Sequence, residues 1–223
     1  MSQAGELNRF LQPMLDDARV SAQTLPDCQG LKLWLLDPEP LKRPFTDDEV
    51  ERIQTFPAYW GFCWASGLVL ARQLLQQPHW VLGKRVLDFG AGSGVVGMAA
   101  LMAGAKEVIF CDIDPQALIA CQANVHLNQW HQPNWRLHGN LLDNTPDDID
   151  LLIAADVLYD RANLPLLKLF RQHASQVLVA DSRIKDFDFP PYAPLGVKPA
   201  CTLPDLDESQ EFRSVRLYQA SGA

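Results

Sequence analysis

Three glycines at alternate positions, Gly90, Gly92 and Gly94, follow the apolar run Val86, Leu87, Asp88, Phe89 and precede a second apolar stretch that starts at Val95. Glycine permits a tight strand-to-helix turn and lets a ligand approach the backbone, while the N–H groups that open a helix favour a negative ligand group. About 20 residues on, Asp112 closes the next apolar run, where a carboxylate can accept hydrogen bonds from both hydroxyls of a ribose. The pattern predicts a nucleotide-like ligand. Asp88, just ahead of Gly90, decides between two of them. Beside a pyrophosphate it would add repulsion, whereas near the amino-acid end of S-adenosylmethionine it offsets the α-ammonium, so the sign of the charge favours the methyl donor over NAD. The plainer alternative is a bare turn, with Asp88 as a local cap and Asp112 as a helix N-cap ahead of Pro115.

The elements that must position these residues alternate. Strand-like runs at 85–89, 107–111, 135–138, 150–154 and 176–180 are separated by helical patterns at 95–102, 115–127 and 164–173, and a further helix is predicted at 64–76, stopped by Pro78. Short apolar strands separated by helices are the mark of βαβ units. The fold class expected is α/β, a doubly wound, mostly parallel seven-stranded sheet. Segments 196–203 and 212–219 have no helix between them and predict a closing antiparallel pair joined by the acidic turn 204–208. Residues 1–56, proline-rich with one strand-like run at 31–36, are expected to form an N-terminal extension packed on the core, and 57–223 the ligand-binding domain.

At 223 residues, 48% hydrophobic and 21% charged, the composition is that of a globular chain with one large core. A net charge of −8 argues against nucleic acid and suits a partner that presents lysines. Cys28, Cys63, Cys111, Cys121 and Cys201 are scattered without a C-x-x-C pair, which points to neither a disulfide framework nor zinc, and the histidines lack helix metal spacing, so no metal is expected. No apolar run approaches a membrane span and no basic leader is visible, which leads to the expectation of a cytoplasmic protein with no membrane partner.

Taken in order, Y-W-x-F-x-W at 59–64, V-L-D-x-G-x-G-x-G at 86–94, C-D-I-D-P at 111–115 and A-D-V-L-Y-D at 155–160 resemble the family 16 seven-β-strand, class I S-adenosylmethionine-dependent methyltransferases. The branch most similar contains the electron transfer flavoprotein β-subunit lysine methyltransferase and its bacterial relatives, and the resemblance covers about 31–181. It implies a Rossmann-like fold with S-adenosyl-L-methionine as cofactor. Trp64, Asp88, Gly90, Ala91, Gly92 and Gly94 would lie at the cofactor, Asp112 would hold the ribose with Ile113 beside it, and Asn140 and Ala155 would flank the adenine and the methionine portion. Asp156 and Tyr159 form a D-x-x-Y motif that orients a substrate nitrogen and are the catalytic candidates. Read without the family, they are a helix cap and a core aromatic. Tyr59, Trp60 and Phe62 read equally as core packing. Where members of that branch often carry W-P-G-G and G-D-P-G-R, this chain has Trp64-Ala65-Ser66-Gly67 and Ala180-Asp181-Ser182-Arg183-Ile184. The partner implied is a protein presenting lysine, such as the electron transfer flavoprotein β subunit. A small-molecule (nicotinamide-like) amine acceptor, an NAD-dependent oxidoreductase and a non-catalytic binding module are the other readings.

Overall fold

The computed structural model describes residues 2–222 other than 142, 145, 185, 186 and 206. Helix α1 (Gln3–Leu11), capped by Ser2, leads into the hairpin β1 (Val20–Thr24) and β2 (Lys32–Leu36), paired from Val20↔Leu36 to Thr24↔Lys32. Helix α2 (Asp47–Thr55) opens with a reciprocal capping box between Thr46 and Glu49, and α3 (Ala65–Gln76) follows. The core alternates β3 (Arg85–Phe89), α4 (Val95–Met102), β4 (Glu107–Cys111), α5 (Pro115–Leu127), β5 (Trp135–His138), β6 (Ile149–Ala155), α6 (Leu166–His173) and β7 (Ala174–Asp181). It closes with β8 (Ala193–Pro199) and β9 (Ser214–Ser221).

The main sheet has seven strands in the order β5-β4-β3-β6-β7-β9-β8. Strands β3 to β7 pair in parallel, and β9 runs antiparallel to both β7 and β8. The expected antiparallel pair is present, but its connection is longer than the acidic turn predicted. Through a bridge between Cys63 and Leu203, that connection reaches back to the segment ahead of α3. The chain leaves β3 outward to β4 and β5, then returns to the other side of β3 as β6. That reversal opens a crevice at the carboxyl ends of β3, β4 and β6.

Side-chain alternation explains why both faces are covered. In β4 and β6, Val108, Phe110, Leu151 and Ile153 join the core beneath α3 and α4, while Ile109, Leu152 and Ala154 join Phe170 and Leu167 of α6 on the other face. Helix α5 is buried on two sides. Cys121 and Val125 face the sheet, and Ala117, Ala120 and Ala123 present a small-residue face to Leu7, Leu11, Leu36 and Trp60 of the N-terminal region. Trp60 is fully buried there, edge-on to Phe10. Asn124, also fully buried, accepts from the Trp34 N–H of β2 (2.7 Å) and donates to the Ser93 carbonyl (2.8 Å), and so ties the hairpin to the glycine turn. Among the described residues no helix is long and apolar enough to cross a membrane.

Candidate active site

The end of β3 still pairs with β4 as the turn begins, since the N–H groups of Gly90 and Ala91 both donate to the Cys111 carbonyl (2.8 and 3.1 Å). Gly90 then turns left-handed, at φ +65°, and a Cβ there would meet Val157 Cγ1 at 2.8 Å. The position is closed to side chains on both counts. Gly94, at φ +74°, is the N-cap of α4, and its missing side chain leaves room for Cys121 and Phe110.

Asp112, half-buried just past β4, accepts from the Gly92 N–H through Oδ2 and from the Asp114 N–H through Oδ1, both at 2.9 Å. Burial raises its pKa against the pull of those hydrogen bonds. Asp114 in turn caps α5 through the Gln116 N–H. Asp88 is 2% exposed and lies behind the turn, where its Oδ2 accepts from the Gly97 N–H (2.8 Å) in the first turn of α4. Loss of solvent is the main cause that lifts its carboxyl to about 7. Asp88 thus does not line the ligand cavity. It satisfies one of the four N–H groups that a helix start leaves unpaired.

The crevice is a cavity of about 650 Å³. Its floor is Phe89, Gly90, Gly92 and Ala155; one wall is Asp112, Ile113 and Leu141, and the other is Tyr59, Trp64, Asp156, Tyr159 and Arg183. Of the residues singled out from sequence, Trp64, Gly90, Gly92, Asp112, Ile113, Ala155, Asp156 and Tyr159 meet in this lining, while Asp88, Ala91, Gly94 and Asn140 fall outside it. Ala91 and Gly94 turn toward the protein interior, and at the far wall the lining residue is Leu141 where Asn140 was expected.

Asp156 has a left-handed backbone, φ +51°, uncommon for a residue with a Cβ. Its carboxylate takes four hydrogen bonds: Oδ1 from Ser66 Oγ (2.6 Å), Ser182 Oγ (2.8 Å) and Ser182 N (2.9 Å), and Oδ2 from Ser66 N (2.9 Å). Ser66 is the second residue of α3, so Asp156 also stabilises that helix start. Tyr159 is 65% exposed and faces Tyr59 with ring centroids 6.3 Å apart. Partial burial raises its phenol pKa, with Tyr59 and Asp160 adding to the effect. Trp64, the N-cap of α3, donates its indole N–H to the Tyr59 carbonyl (3.0 Å) and lies 5.9 Å from the Arg183 guanidinium. Arg183 stacks on Phe212 and pairs with Glu208. Sequence reasoning did not single out Ser66, Ser182 or Arg183 as site residues, although all three fall in the two segments that depart from the family pattern.

This sheet order, with a glycine turn after β3 and a carboxylate after β4, defines the Rossmann-like fold of the class I methyltransferases. Among solved structures, magnesium protoporphyrin IX methyltransferase (ChlM) from Synechocystis with bound SAM superposes with a TM-score of 0.53 at 12% identity, covering 83% of this chain and 89% of that one. The ribosomal protein L11 methylase from Lactobacillus delbrueckii gives 0.50 at 21% identity, covering 69% and 77%. At such identities the likeness is one of fold.

The family model described as Ribosomal protein L11 methyltransferase (PrmA) matches residues 70–179. The electron transfer flavoprotein beta subunit lysine methyltransferase of Mus musculus is 37% identical over 139 residues, covering 59% of this chain and 54% of that protein. Its Danio rerio counterpart is 36% identical over 135 residues, covering 58% and 52%. The resemblance read from the motifs holds in these matches, and this chain spans about half the length of the curated relatives it matches.

Proposed function

We propose that the chain is an S-adenosylmethionine-dependent N-methyltransferase acting on lysine side chains of a protein. The observation that carries the reading is that one cavity brings together the glycine turn, the Asp112 carboxylate and the Asp156–Tyr159 rim. Its volume of about 650 Å³ falls within the range of cofactor sites, roughly 300–1,000 Å³. The residues fit the cofactor. Gly90 leaves the floor bare where a Cβ would strike Val157. Each Asp112 oxygen takes one backbone N–H, which leaves lone pairs for the two hydroxyls of a ribose. Trp64, Ile113 and Leu141 offer apolar surface to a ring. In this reading Gly92 and Ala155 complete the direct contacts, Asn140 adjoins the lining residue Leu141 in sequence, and Asp88, Ala91 and Gly94 act by fixing the shape of the turn.

When bound, the cofactor supplies an electrophilic methyl group on a sulfonium. Asp156 attracts the lysine ammonium and Tyr159 walls its path, with a phenol that stays protonated. A carboxylate beside an ammonium favours the charged form, so Asp156 serves capture and orientation, and solvent takes the proton. Positioning supplies most of the catalysis.

The net charge of −8 supports a basic partner over nucleic acid, and the five unbridged cysteines support a reducing, cytoplasmic setting. The electron transfer flavoprotein β subunit, named for the mouse and zebrafish relatives, is the first protein to try. The test is transfer of radiolabel from adenosylmethionine to that subunit and to proteins of the source extract, read on a gel with Asp156→Ala as control. A labelled band lost in the variant is expected. Calorimetric binding of adenosylhomocysteine without any labelled protein would sink the lysine reading and leave the cofactor reading standing.

A further inference from the structure

The four hydrogen bonds to Asp156 are unevenly divided. Among the described residues Oδ1 receives three donors, two of them hydroxyls from different elements, whereas Oδ2 receives only the Ser66 backbone N–H. A carboxylate oxygen offers two lone pairs, so Oδ1 is saturated and the acceptor capacity left on this side chain is on Oδ2. We infer that Ser66 and Ser182 are positioning residues: their hydroxyls grip Oδ1 and thereby fix the carboxylate so that Oδ2 is the atom that meets the substrate amine. This rests on the proposed lysine reading and deepens it.

Three features support the assignment. Asp156 lines the cavity although four donors reach its carboxylate, so the clamp holds a group that is still open to a ligand. The left-handed backbone at Asp156 is sparsely populated, and such a conformation persists only where the surroundings over-determine it; here α3 and the end of β7 converge on one oxygen. Each serine also neighbours a cavity wall. Ser66 follows Trp64 by two residues and Ser182 precedes Arg183, so the clamp sets the spacing of the walls and of the acceptor together.

Either hydroxyl can be removed while the Ser66 and Ser182 backbone N–H groups and the other hydroxyl remain, which leaves the carboxylate bound but less firmly fixed. The test labels the aspartate carboxyl carbons of the full chain with carbon-13, assigns Asp156 by the signal lost in Asp156→Asn, and titrates n-butylamine into wild type, Ser66→Ala, Ser182→Ala and the two threonine counterparts. In wild type the Asp156 signal is expected to move with the amine. In each alanine variant it should lie elsewhere before amine is added, and the apparent amine affinity should fall severalfold, up to about tenfold, because the amine keeps its bond to Oδ2 and loses only the fixed orientation of that atom. Threonine, which restores the hydroxyl, should restore the response.

A wild-type signal indifferent to the amine, or alanine variants that respond as wild type does, would overturn the inference. Calorimetry with adenosylhomocysteine on the same samples separates the remaining cases. Unchanged affinity in the variants is expected. A parallel loss of amine response and adenosylhomocysteine affinity would mean that the serines only hold the fold, which also overturns the inference. Failure of the lysine reading shows elsewhere, as absence of protein labelling by an enzyme whose Asp156 still answers to the amine.

Discussion

Replacing Asp88 by asparagine puts a neutral isostere of the protonated acid in a fully buried site, and its effect on stability should depend on pH in a direction opposite to that of most carboxylates. In the folded chain the Asp88 carboxyl rises from its ordinary 3.8 to about 7, because burial disfavours the anion more than the Gly97 N–H stabilises it. The native state therefore binds a proton more tightly than the unfolded chain. The stability this provides is fully present below about pH 3.8 and is lost as pH rises through about 7. At about 1.4 kcal/mol for each tenfold change in proton affinity, the whole span is worth about 4 kcal/mol, and roughly 2–3 kcal/mol of it falls between pH 5 and pH 8. Asparagine carries no such dependence. Urea unfolding of the ligand-free protein and of Asp88→Asn at a series of pH values gives the difference, with the groups remote from Asp88 cancelling and the neighbouring Asp112 adding a smaller contribution. The variant should gain on the wild type by roughly 2–3 kcal/mol from pH 5 to pH 8 and level off above that. A difference that stays flat across the interval would refute the assignment of a buried, proton-retaining Asp88.

Three other outcomes follow from the same geometry. Gly90→Ala forces a Cβ against Val157 at a left-handed residue, so stability should fall by about 1–2 kcal/mol or more and adenosylhomocysteine affinity at least about tenfold, by urea titration and calorimetry. Asp112→Asn removes the charge and sets an amide NH2 against the Gly92 or the Asp114 N–H; calorimetry should show adenosylhomocysteine binding weakened about tenfold, and urea unfolding of the free protein should report a loss of about 1–3 kcal/mol from the unpaired donor. Asn124→Ala leaves the Trp34 backbone N–H and the Ser93 carbonyl unpaired in the interior, at about 1–3 kcal/mol for each, and hydrogen exchange should report faster exchange of the Trp34 amide.

The parallel strands were legible because each is a short apolar run buried on two faces, and the turn because three glycines at that spacing admit few conformations. Strand β1 was not legible: Val20-Ser21-Ala22-Gln23-Thr24 carries little apolar signal, and its pairing with β2 depends on packing against α5 that sequence periodicity does not reveal. Trp60 and Tyr59 illustrate the same limit. They are adjacent aromatics that both reach the cavity, yet Trp60 is, among the described residues, the largest fully buried side chain and Tyr59 is half exposed, a division set by the short helical turn they share. Asp88 was visible as a residue that matters, but its direction was not; its hydrogen bond with the Gly97 N–H shows that it points to the start of α4, outside the cavity lining. Ser66 and Ser182 lie far apart in sequence and act on a residue distant from both, so no local pattern joins them.

The place of β9 between β7 and β8 has a consequence for how the chain assembles. Among the described residues β8 pairs with β9 alone, and β9 is made after it. The parallel strands through β7 can therefore form while one flank of the sheet is still open, and during that interval the backbone of β7 along Val177, Leu178, Val179 and Ala180 is an unpaired apolar edge. Strand β8, with Pro194, Pro199 and an irregular step at Gly196, is poorly suited to cover that edge itself. Those features keep the slot beside β7 vacant for the strand that arrives last, and they make the interval before its arrival the time at which a nascent chain is most exposed to pairing with its neighbours.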